Sequence, residues 1–183
     1  DGTVTGVQTC ALPICELAPQ AGIRSNVIVG FPGETEDDLA ELEAFLTAAR
    51  LDAVGVFGYS DEDGTEAAGY DGKLAPEEVA ARVSRISALV DELMVQRAED
   101  RVDTVVEVLV EAEEDADMEC TGRAAHQAPE VDGECVVERG SGLAVGDLVR
   151  AVVVGTEGAD LLVSPRELVE RSGLAPAVAR SAG

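Results

Sequence analysis

The spacing of apolar residues changes character along the chain, and each change predicts an element. Residues 23–31, "IRSNVIVGF", form a short, nearly continuous apolar run that Pro32 and Gly33 end. Such a run predicts a strand buried on both faces of a parallel sheet. Thr35 and Asp38 have the spacing of a capping box, and Glu36, Asp37 and Asp38 suit the positive end of a helix. Leu39, Leu42, Phe45, Leu46 and Ala49 then recur at steps that place them on one helical face. A second β-rich run, "LDAVGVFGYS" at 51–60, completes a strand–helix–strand order. That order predicts a right-handed βαβ unit.

Beyond the polar, glycine-bearing loop "DEDGTEAAGYDGKL", Pro76 stands where a helix would begin. Val79, Val83, Ile86, Val90, Leu93 and Arg97 alternate steps of four and three, which predicts a long amphipathic helix over roughly 76–102. From Thr104 the pattern shortens. "TVVEVLVEAE", "MECTGRA", "GECVVERG" and "DLVRAVVVGTEGADLLVSP" are β runs divided by Gly, Asp and Glu, with a hairpin turn expected at Gly155–Asp160. About five short strands in so little chain predict a small closed β-barrel of the OB-like kind. The expected fold class is therefore α/β plus all-β. The expected segments are 16–102, 103–169 and a flexible tail at 170–183.

The opening "DGTVTGVQTCALPIC" has neither helical nor strand period. Its stretch Val4–Ile14 resembles the conceptual translation of a sequencing-library adapter, so residues 1–15 are expected to be foreign to the fold, with the natural chain starting near Glu16. Composition adds an aliphatic core, since 46% of residues are hydrophobic but only 3% aromatic. No apolar run approaches the roughly 20 residues of a membrane span, and no signal peptide opens the chain, so a cytoplasmic monomer with no membrane partner is expected. A net charge of −24 repels phosphates and attracts basic partners, although an acidic proteome produces the same bias. Cys10, Cys15, Cys120 and Cys135 show no C-x-x-C spacing and are expected to be reduced thiols with no metal between them. The single His126 has no neighbours that mark it as a general base, and no Walker loop or G-x-G-x-x-G is present.

Candidate chemistry concentrates in "VGFPGET". A glycine-bearing turn after a parallel strand exposes backbone amides at the carboxyl edge of the sheet, where α/β proteins bind ligands. Glycine permits close approach, and the following helix N-terminus favours negative groups. The same residues also make an ordinary tight βα turn. "FGYSDEDGT" would bring Tyr59, Ser60 and Thr65 to the same edge if the strands are parallel. Taken alone, the residues lead to a ligand-edge βαβ piece and a small barrel, without naming a reaction.

"SNVIVGFPGETEDDLAELEAFL", "LDAVGVFGYSDEDGTEA" and "APEVDG" together resemble the radical S-adenosylmethionine methylthiotransferases over about residues 16–169. "APEVDG" tilts the resemblance toward the RimO type, which modifies an aspartate of a small-subunit ribosomal protein, and away from the tRNA-modifying MiaB type. The resemblance implies the last strands and helices of a partial TIM-like barrel followed by a TRAM domain. It implies S-adenosylmethionine and two 4Fe-4S clusters as cofactors and a basic ribosomal protein as substrate. Neither cysteine triad of the family is present, so the chain is expected to be a C-terminal fragment that ligates no cluster, holds no catalytic residue and is inactive alone. By the same resemblance Arg24, Asn26, Gly30 and Glu34 lie along the nucleoside and carboxylate side of the cofactor, and Tyr59 and Ser60 end the next strand. From Thr104 to Val169 there are 15 acidic and 4 basic residues and no Phe, Tyr or Trp. That surface suits a basic protein better than tRNA. A non-catalytic acidic binding module is the remaining alternative.

Overall fold

The computed structural model describes residues 17–18, 21–113, 119–128 and 133–171. The adapter-like start, residues 129–132 of "APEVDG" and the tail beyond Arg171 lie outside the described residues. The chain divides into two compact units, 1–97 and 98–183.

The first unit contains β1 (Arg24–Val29), α1 (Glu36–Ala49), β2 (Ala53–Gly58), a short 3-10 turn (Ala67–Gly69) and α2 (Pro76–Glu99). β1 and β2 pair in parallel, Arg24 opposite Ala53 and Val29 opposite Gly58. The capping box is present: Asp38 N–H donates to Thr35 Oγ1 at 3.3 Å, and Thr35 N–H donates to Asp38 Oδ2 at 2.9 Å. Leu39, Phe45, Leu46 and Ala49 of α1 meet Val29 of β1 and Ile86 and Val90 of α2 in one core. The stripe of α2 ends on Arg97, whose Nη2 lies 3.2 Å from Asp52 Oδ1. α2 stops at Glu99, earlier than the periodicity predicts. Single-turn bonds from Arg101 N–H to Ala98 O and from Val102 N–H to Glu99 O follow it, and Asp103 adopts a left-handed φ of 65°.

One expectation is corrected here. β1 is not buried on both faces: Ile28 is 60% exposed and Phe57, opposite it, 55%. Helices cover one side of a sheet that has two strands. Val27, Val29, Val54 and Val56 face that helical side, while Arg24, Asn26 and Ile28 share the other face with Gly55 and Phe57 and with Ala53, which is buried.

The second unit is a closed barrel in the order β3-β4-β5-β7-β6, the small OB-like architecture expected. Its strands are β3 (Val105–Ala112), β4 (Cys120–Ala124), β5 (Cys135–Val137), β6 (Leu148–Glu157) and β7 (Asp160–Glu170). β5 and β7 pair in parallel and the other neighbours antiparallel. Strict alternation sends Val106, Val108 and Val110, then Val149, Ala151 and Val153, into the core with Leu161 and Val163. The β6–β7 turn is tighter than Gly155–Asp160. Thr156 pairs with Leu161 and Glu157 with Asp160, so only Gly158 and Ala159 turn, with Gly158 at φ 62°. A positive φ is the conformation two-residue hairpins demand.

Two predictions follow from the barrel. A Cβ on Gly122 would lie 2.3 Å from the Leu109 carbonyl oxygen of the neighbouring strand. Gly122→Ala is expected to destabilise the barrel by about 1–3 kcal/mol, read by hydrogen exchange of the β3 and β4 amides. Burial pushes the Cys135 thiol up to about 12, and its Sγ lies 3.1 Å from Gln127 Oε1. The folded state keeps a proton that the unfolded chain releases near pH 9. The thiol's contribution is therefore whole below about pH 9 and is lost as pH rises toward 12. Cys135→Ala is expected to flatten that alkaline loss relative to the parent in urea titrations across this window.

Candidate functional site

Parallel pairing sets the ends of β1 and β2 side by side. Gly30 follows Val29, Tyr59 follows Gly58, and Tyr59 N–H donates to Val29 O at 2.8 Å. Gly30 has φ 79°, and a Cβ on it would lie 2.8 Å from Val79 Cγ2; one on Gly58 would lie 2.9 Å from Val79 Cγ1. Two missing side chains thus let the first turns of α2 settle over the strand ends. Gly33 N–H donates to Gly72 O at 2.9 Å, tying the turn to the β2–α2 loop. Phe31 sits between Tyr59 and Tyr70, with ring centroids at 5.1 and 6.1 Å and near-perpendicular planes. A cleft of about 570 Å³ opens beside them, lined by Gly30, Tyr59 and Ser60 on the strand side and by Lys73, Val79 and Val83 opposite.

The electrostatic centre of this edge is Arg82 on α2, which is 5% exposed. Its Nη1 lies 2.6 Å from Glu34 Oε1 and donates to the Glu34 carbonyl at 3.2 Å; its Nη2 reaches Glu78 at 2.8 Å and Glu36 at 3.1 Å. The hydrogen bond to Glu34 raises its pKa above the ordinary arginine value, so it stays charged. Glu34 Oε1 also accepts the Gly30 N–H at 2.9 Å. Arg85 pairs with Glu43 at 2.6 Å and with Glu36 at 3.1 Å. At the rim, Tyr59 OH donates to Asp61 Oδ1 at 2.9 Å and Lys73 Nζ to Asp61 Oδ2 at 2.6 Å. Lys73 and then Tyr59 hold the Asp61 carboxyl below its usual range, while desolvation and the Asp61 bond raise the Tyr59 phenol.

Gly30, Glu34, Tyr59 and Ser60 therefore gather at the carboxyl edge. Arg24 and Asn26 do not: Arg24 begins β1 at the opposite end, Asn26 lies mid-strand, and both project onto the open face. Asn26 faces Gly55, where a Cβ would come within 2.3 Å of its Oδ1. Arg82 escaped the sequence reading. Glu78, four residues earlier, was the legible half of its network, but Glu34 lies 48 positions away. His126 is 8% exposed inside the second unit. Among the described residues no group of three or more His, Cys, Asp or Glu could hold a metal ion, and no helix is long and apolar enough to cross a membrane.

A TRAM domain family model matches residues 102–165, which take in most of the barrel. Over 152 residues, 83% of this chain, the sequence is 69% identical to the ribosomal protein uS12 methylthiotransferase RimO of Saccharopolyspora erythraea. The chain is similar to RimO-type proteins over most of its own length. The RimO of Streptomyces avermitilis is 64% identical over 148 residues, 81% of this chain, and that of Salinispora arenicola 55% over 171 residues, 90% of this chain. The chain spans 31%, 30% and 33% of the length of these three relatives.

Removing Arg82 leaves the part-buried Glu34 without its cation, beside the more exposed Glu36 and Glu78. Arg82→Ala is expected to cost the first unit about 3–5 kcal/mol. Arg82→Lys should restore little, because a single ammonium cannot span the carboxylates that the guanidinium fork reaches. Tyrosine fluorescence during denaturant unfolding checks this, since the chain has no Trp and both of its tyrosines, Tyr59 and Tyr70, lie in this unit.

Proposed function

We propose that this chain is the carboxyl-terminal portion of a radical S-adenosylmethionine methylthiotransferase that modifies an aspartate of ribosomal protein uS12 at its β-carbon. The observation that carries the reading is the 69% identity over 152 residues to a protein of that name. In this reading the open face of β1 and β2 is covered by further strands of a partial TIM-like barrel, which accounts for exposed Ile28 and Phe57.

The open face and the adjoining edge fit S-adenosylmethionine in donor chemistry. Asn26 presents a carboxamide over the bare backbone of Gly55, and Arg24 a guanidinium on the same face. Once bound, the cofactor would supply the radical chemistry. Arg24 and Asn26 would hold its polar groups, with Tyr59 and Ser60 at the strand end. Glu34 serves differently in this reading: its carboxylate is taken up by Arg82 and the Gly30 amide, so it shapes the turn. The described residues do not fit an iron–sulfur cluster, because Cys120 and Cys135 are buried in the barrel. Both 4Fe-4S clusters would be held by cysteines of the longer enzyme, and the chain by itself would be inactive. The site of action is then the cytoplasm.

Charge favours a protein substrate over tRNA. With 15 acidic and 4 basic residues and no Phe, Tyr or Trp between Thr104 and Val169, the barrel lacks the basic stripe and large stacking platforms that RNA binding uses. Fluorescence anisotropy of the whole chain with labelled uS12 and with labelled tRNA, at low and physiological salt, tests this. Binding of uS12 without tRNA is expected, and a preference for tRNA would overturn the choice. The enzymatic reading itself fails if the genomic locus carries no in-frame C-x-x-x-C-x-x-C coding sequence upstream.

A further inference from the structure

The chain contains three Phe and two Tyr, and three of these five rings meet at one spot. Phe31 from the turn after β1, Tyr59 from the end of β2 and Tyr70 from the β2–α2 loop form a contiguous group. Rings that served only as core would be buried, as Phe45 is. Phe31 and Tyr70 instead stay 41% and 42% exposed. The loop that carries Tyr70 also carries Glu62, Asp63, Glu66 and Asp71, all exposed, and its nearest base, Lys73, is bound to Asp61. Beside the rings lies the cleft of about 570 Å³ with an apolar floor at Val79 and Val83.

Rings bordered by carboxylates suit one kind of guest. A guanidinium stacks flat on an aromatic face and at the same time donates in-plane hydrogen bonds to carboxylates, which an ammonium cannot do in one geometry. Phosphate is disfavoured by the same acids. We infer that the Phe31–Tyr59–Tyr70 group and its acidic loop form a docking rim for an arginine-bearing segment of a basic protein, with the cleft receiving an adjacent apolar side chain. The inference deepens the proposed function and rests on it for the identity of the partner, but its chemistry can be tested apart from it.

The test uses the whole chain with labelled alternating Arg-Gly and Lys-Gly peptides of equal length. The Arg-Gly peptide is expected to bind about three- to fivefold more tightly. Tyr70→Ala and Phe31→Ala should each erase that preference, and Tyr70→Phe should keep it, because the ring is what matters. Glu62→Gln with Asp63→Asn should weaken both peptides, whereas Glu107→Gln on the barrel should change neither. Equal binding of the two peptides by the parent, a preference that survives loss of the rings, or tighter binding of a single-stranded oligonucleotide would each overturn the inference. If uS12 binds the parent and the Tyr70→Ala chain equally, the rim is wrong and the proposed function stands. If the Arg-Gly preference behaves as described but uS12 does not bind, the rim stands and the proposed function falls.

Discussion

Arg82 holds together the edge of the first unit where β1 and β2 end. A guanidinium that is almost fully buried is tolerable only when its charge is answered, and here Glu34, Glu36 and Glu78 answer it at both terminal nitrogens from two separate stretches of chain, while Nε makes no hydrogen bond. The geometry matters more than the net energy. Glu34 grips Arg82 with the same oxygen that takes the Gly30 amide, so one carboxylate joins the strand end, the Pro-Gly turn and α2. The glycines at 30 and 58 are the counterpart of that clamp, since any side chain there would push Val79, and α2 with it, off the strand ends. Charge and absent bulk together fix the turn, and the turn sets where Phe31, Tyr59 and Ser60 stand.

Much of this was legible wherever the cause is local. The capping box at Thr35 and Asp38, the buried face of α1 and the stripe of α2 depend on neighbours within a few residues, and spacing alone reveals them. The five-stranded barrel was legible from alternation and glycine punctuation. What escaped depends on partners distant in sequence or on how many strands the sheet holds. Arg82 sits just beside the apolar stripe and reads as one more solvent-facing base until Glu34 is brought to it. β1 reads as buried on both faces because Val27, Ile28 and Val29 form an unbroken apolar run, yet with only two strands the face bearing Ile28 is open. The hairpin between β6 and β7 proved tighter than its polar stretch suggested, because Thr156 and Glu157 can pair across the ladder while their side chains stay wet. Of the six cofactor-edge candidates, four share an edge because parallel pairing aligns strand ends. Arg24 and Asn26 stand apart because alternation and the length of β1 carry them elsewhere.

The two units use acidity differently. In the first, acids converge on Arg82 and Arg85 and so act as internal fastenings as well as surface charge. In the barrel, Arg150 is flanked on neighbouring strands by Glu107 at 3.0 Å and Glu167 at 2.9 Å, exposed pairs that mainly order the surface. The remaining carboxylates give that module its electronegative exterior.

The barrel's lining has a further consequence. Its inward positions are valine, alanine, cysteine and leucine, and those residues are almost wholly sealed from solvent. Among the described residues, five strands around such a filling make a packed interior with no Phe, Tyr or Trp in it. A ligand of such a packed module would be met on its outer wall. Its selectivity then resides in residues that can change without disturbing the staves of the barrel, which frees the interior to stay constant while partners differ.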